Sequence, residues 1–415
     1  MKGLSNSLIK ILKSVNYILN KHRRNILISL SLLFLIGNIW FILLFICFLI
    51  IYLLGASLIN RIRIKFVSLI FKVLYLFCIV FVGLLTFKFT IGDVFLVQSK
   101  SMENTLFPSD LIYVNKIFYS LKRPQITFKN SWFNNVCHQK INKIKDLLNY
   151  QEITRKSRIN RGDILIHRPK NDYFVVKRCI AISGDTLDII NGSIIINRKR
   201  YYEPGTIKNV YSIEISDKKN FKVKLDSMKI KMSHPLKQEA NTGNIKGIFS
   251  HNERLKILKI PEVKSFSVKL DTFNLSNNLF ANPEKTFWTL DNMKSIIIPK
   301  QGMRIELNSL NFEIYSKTIR NHERVNLVKL DSNYYVNGIK VDNYIFNMDY
   351  IFVMGDNRKQ SVDSRQTGFV PEKNIIGKVT HVLFSKKNGE VKLNRLFHAI
   401  SQIDRYRIEK NKFTN

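Results

Sequence analysis

The sequence predicts a mainly β protein with antiparallel sheets, preceded by N-terminal transmembrane helices. Three observations predict it. Two long apolar runs fill the first 92 residues. Beyond Gly92 the chain breaks into short β-rich runs with turn signals, and two Asn-Gly dipeptides sit between apolar runs. No alternating βαβ pattern and no internal repeat appears.

The apolar runs cover residues 26–59 and 66–89. The first carries no charge, and the second is interrupted only by Lys72 and Lys88. Each exceeds the ~20 residues that span a bilayer. Uncharged runs of this length argue against buried core helices, and the first starts too late and runs too long for a cleaved leader. Six basic residues precede the first run, and Arg61, Arg63 and Lys65 separate the two. Positive-inside bias places both basic segments in the cytoplasm, which two simple spans cannot satisfy. The number of spans and the orientation of the N-terminus stay open.

From Val94 the short runs Val94–Val97, Asp163–His167 and Tyr173–Val176 read as strands. Asn191-Gly192 separates Leu187–Ile190 from Ser193–Ile196, and Asn337-Gly338 separates Tyr334–Val336 from Ile339–Val341. Asn-Gly between apolar runs is the strongest local hairpin signal, because both turn residues accept positive φ. The polar stretch 135–157 reads as a loop-rich insertion.

The net charge is +35, from 66 Lys+Arg against 31 Asp+Glu. Abundant Lys, Asn and Ile with few Gly and Pro suit AT-rich coding as well as electrostatic binding, and both readings stand. No zinc-finger spacing, heptad array or aromatic RNA-binding signature is present, so no nucleic-acid partner is expected. A basic patch facing anionic lipid fits. Four Cys in 415 residues exclude a disulfide scaffold and show no metal spacing. No cofactor or metal is expected, and a Cys137–Cys179 disulfide is disfavoured.

Four segments carry chemistry. They are Gln98-Ser99-Lys100-Ser101-Met102-Glu103-Asn104-Thr105-Leu106; Arg161 to Pro169; Tyr173-Phe174-Val175-Val176-Lys177-Arg178 with Ser183-Gly184-Asp185; and Met354-Gly355-Asp356-Asn357-Arg358, continuing through Ser361, Asp363, Ser364 and Arg365 to Pro371. Alone, Ser101 reads as a turn or cap serine and Lys177 as a surface lysine at a strand end. Together, in this order and after apolar spans, they resemble the bacterial type I signal peptidases, membrane-anchored serine endopeptidases with a Ser/Lys dyad. The resemblance covers roughly residues 60–390. The stretches 298–303 and 334–350 resemble the longer version found in Bacteroidota.

The resemblance implies an antiparallel β-sheet catalytic domain of signal-peptidase type. It makes Ser101 the nucleophile and Lys177 the general base. Ser99 and the Ser101 N–H form the oxyanion hole. Ser361 holds the lysine amine, and Asp363 and Arg365 form an ion pair behind the site, with Gly355 and Asp356 in support. Met102, Phe174 and Val176 face the substrate, a preprotein whose chain adds as a strand and whose small side chains select an Ala-x-Ala-like cut.

The chemistry agrees with those residue types. A serine hydroxyl needs a base. Lysine serves only when neutral, so its ordinary pKa of about 10.4 must fall, and an apolar strand such as Phe174–Val176 lowers it by burial. His138 and His167 offer a histidine alternative but lack a matching Asp and Ser pattern. Asn104, Ala181, Ser183 and Thr367 depart from the family pattern, Asn104 standing where proline is usual.

The expected layout is a membrane anchor over 1–92, a catalytic core over 93–186 and 345–388, an inserted β-rich domain over 187–344, and a basic tail over 389–415. The expected setting is the bacterial cytoplasmic membrane, multi-pass, with the catalytic domain on the outer or periplasmic side. The rivals are a Ser/Lys self-cleaving protease, a membrane-tethered β-domain that binds exported proteins without cutting them, and a basic membrane-bound nucleic-acid binder.

Overall fold

The computed structural model describes residues 91–119, 158–169, 173–228, 244–271, 288–387 and 390–405, with 230, 237–238, 279–281 and a few single positions between 70 and 88. The expected spans lie outside the described residues apart from those single positions. Among the described residues no helix is long and apolar enough to cross a membrane. The chain divides into two compact units, residues 1–94 with 115–158 and residues 95–114 with 159–415. In the first, the Lys116 ammonium donates to Asp93 at 3.0 Å and to the Lys88 carbonyl at 2.8 Å.

The described part is mainly β with antiparallel sheets, as the hairpin signals predict. In chain order the strands begin with β1 (Gly92–Leu96), β2 (Leu111–Asn115), β3 (Ile164–His167) and β4 (Val175–Ala181). A meander follows, β5 (Thr186–Ile190), β6 (Ser193–Ile196) and β7 (Lys199–Arg200). Asn191 and Gly192 take φ of 50° and 75° in its first turn, the left-handed pair that a two-residue hairpin requires.

A small lobe comes next. It holds β8 (Lys208–Ile215), α1 (Lys218–Ser227), β9 (Lys237–Gln238), β10 (Ile245–Ser250), α2 (His251–Ile257) and β11 (Val263–Val268). It closes over its own core of Tyr211, Ile213, Phe221, Leu225, Phe249 and Ile257.

Then come β12 (Met293–Ile297), β13 (Arg304–Glu306), α3 (Ser309–His322), the meander β14 (Leu327–Leu330), β15 (Asn333–Val336) and β16 (Ile339–Lys340), and β17 (Asn343–Ile345). Helix α3 falls inside the stretch 187–344 that the sequence reading expects to be β-rich. Asn308 caps it by accepting from the Asn311 N–H, and Ile314, Tyr315, Thr318 and Ile319 form its buried stripe, a 3.6-residue period inside a β-rich stretch.

The largest apolar cluster joins Ile180 and Ala181 of β4 to Leu187, Ile194, Ile314, Phe346, Phe352 and Met354. Much of 187–344 therefore shares one core with β4 and with β18 (Tyr350–Met354), and among the described residues of this stretch only the lobe around β8 encloses a core of its own. The chain ends with α4 (Ser364–Thr367), β19 (Val370–Pro371), β20 (Ile375–Phe384), β21 (Lys386–Lys387), β22 (Glu390–Val391), β23 (His398–Ala399) and α5 (Ile400–Arg405). Part of the expected basic tail thus belongs to the fold, because β23 pairs with β20.

The eight-stranded sheet runs β1-β2-β20-β3-β4-β18-β19, with β23 added to β20. Three strands separate β1 from β4, yet the rings of Phe95 and Phe174 meet edge to face at 5.0 Å. The sheet is curled, and the curl carries the end of β1 to the start of β4. There β3 pairs with residues 175–178 of β4, but β18 pairs only with 178–181. Among the described residues the segment 175–177 has a strand on one side alone.

Candidate active site

After β1 the chain makes a one-turn 3-10 helix, Lys100–Met102. The Glu103 N–H donates to the Lys100 carbonyl at 3.0 Å, and those of Thr105 and Leu106 donate to the Met102 carbonyl at 3.1 and 2.7 Å. The turn buries Met102 among Leu106, Ile112 and Val114. Met102 is 1% exposed and packs in this cluster, where the sequence reading expects it to face substrate. Phe174 is 47% exposed, and Val176 is half-buried against the same cluster.

Lys177 lies on β4 opposite Leu165 and reaches the Ser101 hydroxyl, its Nζ donating to Oγ at 2.8 Å. The Ser99 hydroxyl stands 3.0 Å from the same oxygen. Ser101 is 6% exposed and Lys177 4%. Burial pushes the Lys177 amine down to about 8; Asp363 and Asp356 pull it back up, and Arg365 adds to the depression. Burial also drives His167 down to about 3, helped by the Lys177 charge, so its imidazole is neutral.

The carboxylates near Lys177 are occupied by arginines. Arg178, next on β4, grips Asp356 with Nε at 2.8 Å and Nη2 at 2.7 Å, and both side chains are buried. Arg365 grips Asp363 through Nε and Nη2, each at 2.9 Å. Burial alone would raise the Asp363 carboxyl, but Arg365 and the Gly355 N–H hold it below its ordinary value. The segment also ties down the 3-10 turn that carries Ser101. Asn357 donates from its backbone to the Ser101 carbonyl at 2.9 Å and from its side chain to the Lys100 carbonyl at 3.2 Å.

Gly355 sits where a Cβ would collide with Ser361 and with the Ser101 carbonyl. The Ser361 hydroxyl is buried against that glycine without a hydrogen-bond partner. No hydrogen bond joins it to the Lys177 amine, which donates to the Ser101 hydroxyl.

The loop after Ser101 is held from the small lobe. The Lys208 ammonium meets Glu103 at 3.2 Å, and Thr105 Oγ1 meets Asp356 at 2.5 Å and Thr206 at 2.9 Å. Asn104 has φ of 79°, which proline cannot adopt. The departure at this position is a different backbone, compatible with Asn and closed to Pro. Sequence patterning does not assign roles to Arg178, Asn357 or Lys208. The first two lie inside quoted motifs, but Arg178 meets Asp356, and Asn357 meets the carbonyls of Lys100 and Ser101, across more than 170 residues of chain. Cys179 is a free, buried thiol, and Cys137 lies outside the described residues.

A buried amine on a serine hydroxyl, with no imidazole or carboxylate bonded to that serine among the described residues, is the arrangement of a Ser/Lys hydrolase. Comparison with known proteins narrows the class. A family described as signal peptidase, peptidase S26, matches residues 63–241 and 298–384. The chain therefore belongs to the signal peptidase S26 family, which consists of serine endopeptidases that remove signal peptides.

It is similar to signal peptidase I of Buchnera aphidicola from Schizaphis graminum, 27% identical over 72% of this chain and 71% of the relative. It is also similar to signal peptidase I of Helicobacter pylori J99, 24% identical over 82% of this chain and 98% of the relative. Among solved structures, a signal peptidase I of Enterococcus faecalis V583 matches 54% of this chain and 98% of its own. Its identity is 16% and its TM-score 0.21, too low to bear on the fold.

Proposed function

We propose that this chain removes signal peptides from exported preproteins with Ser101 as nucleophile and Lys177 as general base. The observation that carries the assignment is the 2.8 Å contact between a buried amine and the serine hydroxyl. With the amine lowered to about 8, a useful fraction is neutral near pH 8. It takes the Ser101 proton as Oγ bonds to the scissile carbonyl carbon, and returns it to the departing amine. Water then hydrolyses the acyl-enzyme with Lys177 again as base. The Ser101 N–H and the Ser99 hydroxyl serve the oxyanion, where loss of one donor costs about 3 kcal/mol of barrier.

The preprotein chain adds to the open side of residues 175–177 of β4, beside half-exposed Phe174. Residues 26–59 and 66–89 anchor the protein in the bacterial cytoplasmic membrane, with the catalytic part, built on 93–186 and 345–388, on the outer side. Exposed Leu96, Tyr173 and Val362 suit a site working near lipid. Confinement of enzyme and substrate to one plane raises their effective concentration.

The test is cleavage of a preprotein bearing an Ala-x-Ala site by the full-length protein in detergent, with the cut mapped by mass spectrometry. Cleavage after that site, absent in Ser101→Ala and Lys177→Ala, is the expected result. Cleavage that persists in Lys177→Ala discards the base. No cleavage by folded wild type leaves a binding protein.

A further inference from the structure

The family match stops at residue 384, but the chain continues into a segment that reaches back to the nucleophile loop. After β20, the hairpin of β21 and β22 leads to a 3-10 turn over Leu393–Arg395. Two backbone bonds fix that turn, from the Lys392 N–H to the Ser385 carbonyl at 2.9 Å and from the Arg395 N–H to the Lys392 carbonyl at 2.9 Å. Beyond it β23 pairs with β20, and Ile400 joins the cluster that holds Met102 and Leu106.

From this turn the Arg395 guanidinium meets the loop after Ser101 at three residues. Nη2 donates to the Thr105 carbonyl at 3.0 Å and to Asp110 Oδ2 at 2.8 Å, and the group lies over the Phe107 ring at 4.6 Å. Asp110 is fully buried. It also accepts from the Phe107 N–H at 2.9 Å and from the Ser385 hydroxyl at 2.6 Å, and that hydroxyl receives Arg395 Nε at 3.1 Å. The planar fork of arginine makes several directed bonds at once, which an ammonium cannot copy. Thr105 is in turn tied to the nucleophile turn through the Met102 carbonyl.

We propose that Arg395 is a positioning residue for the reaction at Ser101, locking the loop 103–110 and through it the nucleophile turn. The inference rests on the assignment of Ser101 and Lys177 made above. Arg395 touches neither, so its effect falls on the geometry of attack more than on substrate affinity.

The experiment compares the full-length wild type, Ser101→Ala, Arg395→Ala, Arg395→Lys and Lys392→Ala in preprotein cleavage, with melting temperature and hydrogen exchange of residues 101–110 read on each. Arg395→Ala is expected to lower kcat by between about tenfold and a hundredfold, the scale of a small misplacement of reacting groups. KM should change less than about twofold, and exchange over 103–110 should speed up. Arg395→Lys should fall between the two, and Lys392→Ala should match wild type.

Unchanged kcat in folded Arg395→Ala overturns the proposal, and so does a rise in KM alone. If Arg395→Ala does not fold, Arg395→Lys decides: lower kcat at an unshifted melting temperature supports the lock, and wild-type kcat overturns it. If wild type cleaves and Ser101→Ala does not, the catalytic assignment stands whatever the Arg395 result. If folded wild type does not cleave, both readings fall.

Discussion

Lys177 and Arg178 are consecutive on one strand, both nearly inaccessible and both cationic in water, and the fold treats them in opposite ways. Arg178 points to Asp356 and is matched by two directed bonds. Lys177 points to the other face and meets a hydroxyl, while arginines occupy the two carboxylates that raise its pKa. Strand alternation does the sorting, since neighbouring side chains leave opposite faces. A buried charge with a partner is structural, and a buried amine without one becomes a base. The first depends on removing solvent from a pair and the second on removing solvent from a single group.

Replacing Lys177, the proposed base, should break the comparison most sharply. Lys177→Met is expected to abolish cleavage and yet to stabilise the protein at neutral pH. The fall from 10.5 to about 8 is worth about 3 kcal/mol at 1.36 kcal/mol per unit. The sign follows from proton counts. Between about pH 8 and 10.5 the unfolded chain holds the proton that the folded chain has lost, so wild-type stability rises with pH across that window, and below it the whole penalty is present. Urea unfolding at pH 7 and 10 reads both effects, and a Met variant less stable than wild type at pH 7 contradicts the account. The rate of cleavage by wild type should rise with pH through about 8, and a flat profile across that range denies Lys177 its role.

Arg178→Met should destabilise by about 3–5 kcal/mol, because it strands the Asp356 carboxylate. Adding Asp356→Asn should return part of that loss, whereas additive losses would mean the pair is not a pair. The next effect is smaller and concerns the loop. Asn104→Pro, which restores the residue usual in the family, should cost about 1–3 kcal/mol and lower activity, since proline cannot take the φ of 79° found here. Asn104→Gly should be tolerated, and a Pro variant that gains activity would show that the loop is built otherwise.

Ser361→Ala should do least. Its hydroxyl is buried and unpartnered, so its removal should change stability by no more than about 1 kcal/mol and activity only a few-fold. Loss of activity as large as in Lys177→Ala would return Ser361 to the amine.

Much of the site was legible because its chemistry lies in contiguous motifs. Ser101, Lys177, Asp363 and Arg365 fall in short contiguous segments, and the joint order of those segments, resembling the family's motifs, brings them forward. The hairpins were legible for a similar reason, since Asn-Gly states its own turn. Helix α3 was hidden because its stripe of Ile314, Tyr315, Thr318 and Ile319 is short and surrounded by strand-like composition. Arg395 was hidden because arginine in a basic tail looks like solvated charge, and nothing near it in sequence names Asp110 as its partner.

By itself the sequence determined the mainly β antiparallel class, through its turn signals and hydrophobic pattern, and its four contiguous motifs carry the resemblance to the family and to the proposed dyad. Tertiary structure decided what those residues experience. The curl that brings Phe95 to Phe174, the register that sets Met354 beside Arg178, and the return of Arg395 to the loop after Ser101 all depend on contacts distant along the chain. The depressed pKa of Lys177 depends on them too, because the solvation of a charge is set by everything that surrounds it in space.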